Sequence, residues 1–500
     1  MAASRPAKAP PAAATPDPRD AEIAELRAEV QALAAEVQDL KNTVHANASD
    51  VAEVKGAQSD TSAQLADLKA ATSDNFHQVR DAAAALPKVS LANARPTFTT
   101  ADGKFSFAVR SVVQFDAAHT AVHPLTTAND IGSGTNFRRA RLGFDGTAYG
   151  DWNFALWGEF GGAGGESPVL NQAYIEYAGF KPFGADHPLR LRAGAWAAPS
   201  SLEDATSNTE GLFLERPAVA EMIRGIDAGD GRTGAGIVQN GDRWYVEGVY
   251  TGKVVGTAGV PNNQQRGFVT RVAINPIHGL DYDLHLGASI QGVITPADTV
   301  AGPGVSETLN LQERPELRVD TLRLVSTGAI TSSGMQAYGL EAGGSWHNLY
   351  LAGEWFRINV DRNSAGSAFN PQFGGWYIQG AWTLTGERHV WNSANGGFRG
   401  IRPAKSFSLD KGDWGAFEVA ARYSVLNLND HYGVLGSATP TGGIRGGEQD
   451  IFTFGLNWYP NSVIRFLLDY QHGRIHRLNA AGGNIGETID AIALRSQFAF

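Results

Sequence analysis

The sequence predicts an all-β transmembrane antiparallel β-barrel preceded by an N-terminal α-helical coiled coil. Three observations carry that prediction. From about Lys104 to Phe500, apolar residues recur at every second position in segments spaced about 20–25 residues apart. From Ile23 to Val79 they recur with a seven-residue period instead. Nowhere does a run of about 18 apolar residues occur that could cross a bilayer as a helix.

The first part divides by composition. Residues 1–20 are rich in Pro and Ala and are expected to be disordered. They lack the apolar core of a signal peptide, so an exported chain would have lost its signal by cleavage. Residues 21–86 hold the heptad. One seam position carries Ile23, Val30, Val37, Val44 and Val51, and the other carries Leu26, Leu33 and Leu40. The register runs for eight heptads without a slip. Polar Asn47, Gln58, Thr61 and Asn75 weaken the seam and set register or copy number, while its β-branched/Leu composition leans toward two strands. Residues 87–103 form a linker, with Pro87 and Pro96 as helix breakers.

The barrel region is 104–500. In "NFRRARLGFDGTAYGDWNFALWGEF", Ala140, Leu142 and Phe144 fall on one face and Arg139, Arg141 and Asp145 on the other; the pattern restarts after a hairpin turn. "KFSFAVRSVVQFD", "LRLRAGAW", "DWGAFEVAARYSVL" and "IFTFGLNW" alternate in the same way. A soluble sandwich would also alternate, but about 400 residues is very large for one sandwich core. Tight turns such as "NGDR", "YPNS" and "GSWHN" alternate with long Gly-rich loops, and Trp152, Trp244, Trp414 and Trp458 sit near strand ends. That is the asymmetry of an outer-membrane barrel. The polar face, arginines included, then meets a water-filled lumen. A single-chain barrel of this kind has an even strand number. Sixteen follows if weak segments around "LNLQERPELRVDTLRLVSTGAI" merge, eighteen if that region splits.

Other chemistries find no footing. Net charge is −10, which argues against nucleic acid, and the chain has no Cys. Gly229-Asp230-Gly231-Arg232-Thr233-Gly234 fits G-x-G-x-x-G literally but opens a strand with no βαβ context. The 12 His are scattered with no H-x-x-x-H pair, so no metal site or cofactor is expected. No nucleophile elbow marks a hydrolase, and no catalytic residue is expected.

The stretches "FRRARLGFDGTAYGDWNF", "NQAYIEY", "ERP" followed by "GRTGAGI", "GDWGAFEVAARYS", "GLNWYPNSVIRFLLDY" and "ALRSQFAF" resemble, in that order, the phosphate-selective porins of the porin O/P family. The resemblance spans roughly residues 100–500. It implies a homotrimer of 16-stranded channels for small anions in a Gram-negative outer membrane, with the helical extension in the periplasm. Phe500 resembles the C-terminal aromatic that marks such barrels for assembly.

Between residues 100 and 500 there are 26 Arg and 5 Lys. Arg suits oxyanions because its planar fork offers two donors and keeps its charge. Parity places Arg110, Arg139, Arg141, Arg190, Arg192, Arg232, Arg243, Arg271, Arg422, Arg465 and Arg495 inward, where the resemblance implies an anion path, and Arg138 outward, its stem reaching the interface. The competing role is that of struts paired with acids such as Asp116, Glu159, Glu176 and Glu418. The barrel region holds 38 acids and 31 bases, net −7, so only local arrangement can favour anions. By resemblance, Pro199–Gly231 is a loop folded inward as a constriction, with Arg216, Arg224, Asp227 and Asp230 among its charges. It contains none of the lysines that phosphate-specific relatives carry on inward loops. The predicted function is a passive anion porin; the alternatives are a general porin or a tether joining outer-membrane lipid to peptidoglycan or another periplasmic partner through the coiled coil.

Overall fold

The computed structural model describes residues 18–125, 131–162, 169–255, 264–298, 307–363 and 369–500. Most of the expected disordered segment lies outside them. The chain forms two compact units, 1–86 and 87–500. The first is a single helix, α1 (Pro18–Ala85), whose seam residues Ile23, Leu26, Val30 and Leu33 are exposed.

The second unit is a closed 16-stranded antiparallel barrel. Its strands are β1 (Ser106–Pro124), β2 (Gly134–Ala148), β3 (Trp152–Glu159), β4 (Val169–Phe180), β5 (Leu189–Ala195) and β6 (Arg232–Gly241). They continue as β7 (Trp244–Val254), β8 (Arg266–His278), β9 (Tyr282–Thr295), β10 (Ile330–Trp346), β11 (Leu349–Arg362) and β12 (Gln372–Thr383). The last four are β13 (Ala416–Asp430), β14 (Ile444–Tyr459), β15 (Ile464–His476) and β16 (Glu487–Ala499). β16 closes the wall against β1, from Glu487↔Pro124 to Ala499↔Val112. Closure pairs every strand edge, the condition for a sheet in lipid. Phe500 extends that seam: its N–H donates to the Ser111 carbonyl at 3.0 Å and its carbonyl accepts from the Ser111 N–H at 3.1 Å.

The period-two pattern does what it predicts. Leu340, Trp355, Trp376 and Ile378 form part of an exposed apolar belt, while Glu341, Glu354 and Tyr377 on the alternate positions are buried. Tight turns reverse the chain at one rim. At Tyr149-Gly150, for example, φ is 53° and 81°, the left-handed pair that matches strand twist. The segment expected as a linker is itself a hairpin: Lys88–Ser90 pairs with Thr97–Thr99, which pairs with the start of β1 at Thr97↔Ala108.

Three departures from the sequence expectation matter. "LNLQERPELRVDTLRLVSTGAI" neither merges nor splits into wall strands: apart from two-residue pairings it is loop up to the start of β10, and Leu311, Leu317 and Leu324 are buried inside. The tight turns also have an exception. The β12–β13 connection, 384–415, lies on the short-turn rim yet sends Trp391 and Phe398 inward to pack with Leu202 and Tyr350. Finally, the β1–β2 register shifts between Gln114↔Arg139 and Phe115↔Phe137. That bulge leaves Arg138 without an opposite residue and turns it inward beside Arg139, where parity placed it outward.

Candidate functional site

The segment between β5 and β6 packs against inward-facing residues of the wall. Its first turn of helix, α2 (Leu202–Ala205), is capped by the Ser201 hydroxyl accepting from Asp204 N–H at 3.1 Å. The wall completes the cap: the Glu354 carboxylate accepts from Leu202 N–H at 2.5 Å and Glu203 N–H at 3.2 Å. Pro217 precedes the second helix, α3 (Ala218–Asp227). The Ala218 N–H donates to Glu316 at 2.8 Å. One face of α3, Val219, Ile223 and Ile226, packs with Phe356, Ile358 and Tyr377 of the wall. An amphipathic helix thus buries its apolar stripe within the lumen.

Its polar stripe enters one continuous ion-pair network. Arg141 of β2 binds Glu159 at 2.5 Å and Asp230 at 2.7 Å. Asp230 also holds Arg224, which reaches Asp204 at 2.7 Å. Arg216 lies between Asp204 and Glu221, each at 3.5 Å. Arg318 joins Glu221 at 3.0 Å to Glu215 at 3.5 Å. Glu215 receives Arg138 at 2.7 Å and Arg495 at 2.8 Å, and Arg495 ends on Asp116 at 2.7 Å. Burial, the largest effect on the Glu221 carboxyl, pushes it up, but Arg318, Arg224 and Arg216 outweigh it and hold it at about 2. Burial wins at Asp227, raising it to about 6 against the Thr251 hydrogen bond and Arg232 at 3.9 Å.

The expected path residues separate into two classes. Arg192 is paired with Glu176 at 2.6 Å, Arg271 with Glu341 at 2.8 Å, and Arg422 with Glu316 at 2.5 Å. Arg232 donates to the Gly252 carbonyl at 3.1 Å. Arg243, expected on the inner wall, is exposed in the two-residue turn between β6 and β7, because β6 ends at Gly241. Of the inward-facing residues in this set, four have no carboxylate within 4 Å among the described residues. Arg110 lies over the Trp157 ring at 3.7 Å. Arg139 donates to Gln114 Oε1 at 2.7 Å. Arg190 donates to Asn240 Oδ1 at 3.1 Å and the Ala394 carbonyl at 3.2 Å. Arg465 lies over Tyr459 at 4.7 Å and donates to the Thr209 carbonyl at 3.5 Å. The register stacks Arg110, Arg141 and Arg139 along one interior line, opposite Gly143, Val112 and Gln114 respectively.

Sequence reasoning missed Glu215 as the hub, Glu316 and Arg318 as inward charges, and the 384–415 segment. Arg271 donates to the carbonyls of Asn395 at 2.9 Å and Gly396 at 2.6 Å, fastening that segment to the wall. The available signal was length: a 32-residue connection stands where the other turns on that rim are short.

Residues 107–500 match the family Phosphate-selective porin O and P. Porin O of Pseudomonas aeruginosa is 23% identical over 425 residues, covering 80% of this chain and 90% of that protein. An uncharacterized protein of Caulobacter vibrioides is 26% identical over 425 residues, covering 80% and 77%. Among solved structures, the trimer form of OmpT from Vibrio cholerae is 11% identical with a TM-score of 0.44, covering 79% of this chain and 99% of that one. An anion-selective porin from Comamonas acidovorans is 14% identical with a TM-score of 0.44, covering 79% and 100%.

Proposed function

The chain belongs to the phosphate-selective porin O and P family and is an outer-membrane porin of a Gram-negative bacterium, a channel rather than an enzyme; from that premise we propose that it passes small anions by passive diffusion. The path runs through a lumen narrowed by the inward loop 199–231. The observation that carries this reading is the set of interior arginines without a carboxylate partner: Arg110, Arg139, Arg190 and Arg465. The region's net −7 sums rim turns and outer loops as well as the lumen, with acids such as Asp102, Asp242 and Asp410 exposed, so it does not give the charge along the path. An uncompensated guanidinium in a low-dielectric passage raises the local concentration of anions. The absence of Lys from 199–231 favours small anions in general over phosphate alone.

A planar bilayer under a salt gradient tests it. The reversal potential is expected to show anion preference that weakens as salt shortens the Debye length. Cation preference at low salt would sink the proposal.

The exposed seam of α1 supports a second role within the same molecule. Three copies of the barrel would bring three helices together in the periplasm, and 68 residues reach about 100 Å, far enough to approach the cell wall. Cross-linking in intact cells is expected to join α1 to other copies and to peptidoglycan or its bound proteins. Recovery of α1 joined only to other copies would reduce it to a clasp.

A further inference from the structure

We propose that the outer wall of the barrel carries a binding trough for one acyl chain of a phospholipid from the periplasmic leaflet. A groove of about 1340 Å³ lies on the lipid side of β8–β12, larger than the usual 300–1,000 Å³ small-molecule cleft. Its floor is built from the small outward residues Ala342, Gly344, Gly353 and Gly380. The register sets Ala342 opposite Gly353, and Leu351 between Gly344 and Gly380, so the small positions neighbour one another diagonally around Leu351 across three strands. Tyr282 and Trp346 stand at its mouth, and Trp355 and Trp376 at its far end.

Two floor positions cannot fill it. A Cβ on Gly344 would lie 2.8 Å from the Asp283 carbonyl oxygen, and one on Gly353 2.8 Å from that of Tyr377. The trough is therefore a fixed feature of this backbone. It is continuous with the apolar belt that the outer membrane covers, so hydrocarbon is its occupant by position. A void against that wall would forfeit dispersion contacts, whereas one chain laid in it gains them on three sides.

Depth selects the leaflet. The mouth sits at the rim of short turns, which is the periplasmic rim in outer-membrane barrels, and Tyr and Trp are placed there as interface anchors. From Trp346 to Leu340 the strand rises about 20 Å, or roughly 15 Å of membrane depth at the usual tilt, which is about one leaflet.

The test counts phospholipid bound to the full-length protein after detergent exchange, by native mass spectrometry and phosphorus assay. Ala342→Phe fills the floor from a residue that already has a Cβ, and Ala193→Phe on the outer face of β5 is the control. Wild type and Ala193→Phe are expected to retain phospholipid, and Ala342→Phe to lose at least half of it while keeping the heat-shifted migration of a folded barrel. Equal retention in Ala342→Phe overturns the proposal. So does recovery of lipopolysaccharide instead of phospholipid. So does disulfide cross-linking between subunits through Leu351→Cys, which would make the trough a contact between copies.

Discussion

At Arg138 and Arg139 two neighbouring cations point to the same side of a strand, and their environments give them different work. Arg138 is bidentate with Glu215, at 2.7 and 3.2 Å. Arg139 donates to neutral Gln114 and stands among Arg138, Glu215, Arg141 and Arg495, with no carboxylate in direct contact. Removing one member of a buried ion pair strands the other, at a cost of about 3–5 kcal/mol. Glu215→Gln, which leaves Arg138, Arg318 and Arg495 short of charge, is therefore expected to lower the temperature at which the barrel loses its heat-shifted migration. Arg139→Gln is expected to leave that temperature nearly unchanged and to move the reversal potential toward cations. The reverse assignment of effects would show that Arg139 is the strut and Arg138 part of the path. Arg141, clamped by Glu159 and Asp230, belongs with Arg138 in this contrast.

α3 carries two acids whose shifts have opposite signs. Glu221 is held at about 2, so its contribution to docking is present above its ordinary value near 4.5 and is lost as pH falls through about 2. Asp227 is raised to about 6, so its contribution is fully present below its ordinary value near 3.8 and is lost as pH rises through about 6. From these two acids, docking of the constriction loop is expected to be tightest near pH 4. Asp227→Asn removes the cost of a buried charge at neutral pH while keeping an oxygen that accepts from Gln265, at 2.9 Å in the native protein. It is expected to stabilise the folded barrel by on the order of 1–3 kcal/mol at pH 7, with the gain vanishing below about pH 4. Thermal unfolding of both proteins across pH 4–7 checks this, and a gain that grows on acidification would contradict the assignment.

The whole molecule is two units that meet their surroundings differently. The barrel closes on itself, and the 88–99 hairpin pairs with β1, so residues 87–500 contain their own fold. Deleting residues 1–86 should leave a folded, conducting barrel. A deletion extended through 103 should cost stability, because it removes the strand beside Ser106–Ala108 and Arg95, which pairs with Asp145. The helix has no such closure. Its seam side chains are exposed, and an isolated helix with exposed Val and Leu every seven residues is marginal until copies cover the seam. A peptide of residues 18–86 is expected to be helical and self-associated by circular dichroism and sedimentation, and a helical monomer at high concentration would remove the clasping role.

The architecture was legible because it rests on short-range periods. Alternation at two residues marks the wall at Leu340, Glu341 and Ala342, and repetition at seven marks α1, since each depends only on where neighbouring Cβ atoms point. The inward loop at 199–231 came from resemblance, and the structure places that segment between β5 and β6. The wiring of the interior was not legible. One bulged residue reversed Arg138, and parity has no means of seeing a bulge. Glu316 meets Arg422 across 106 residues, and Glu215 meets Arg495 across 280. Which arginines are neutralised and which stay uncompensated depends on what three folded-in segments bring within 4 Å. That is a property of packing at long separation, which no local pattern encodes.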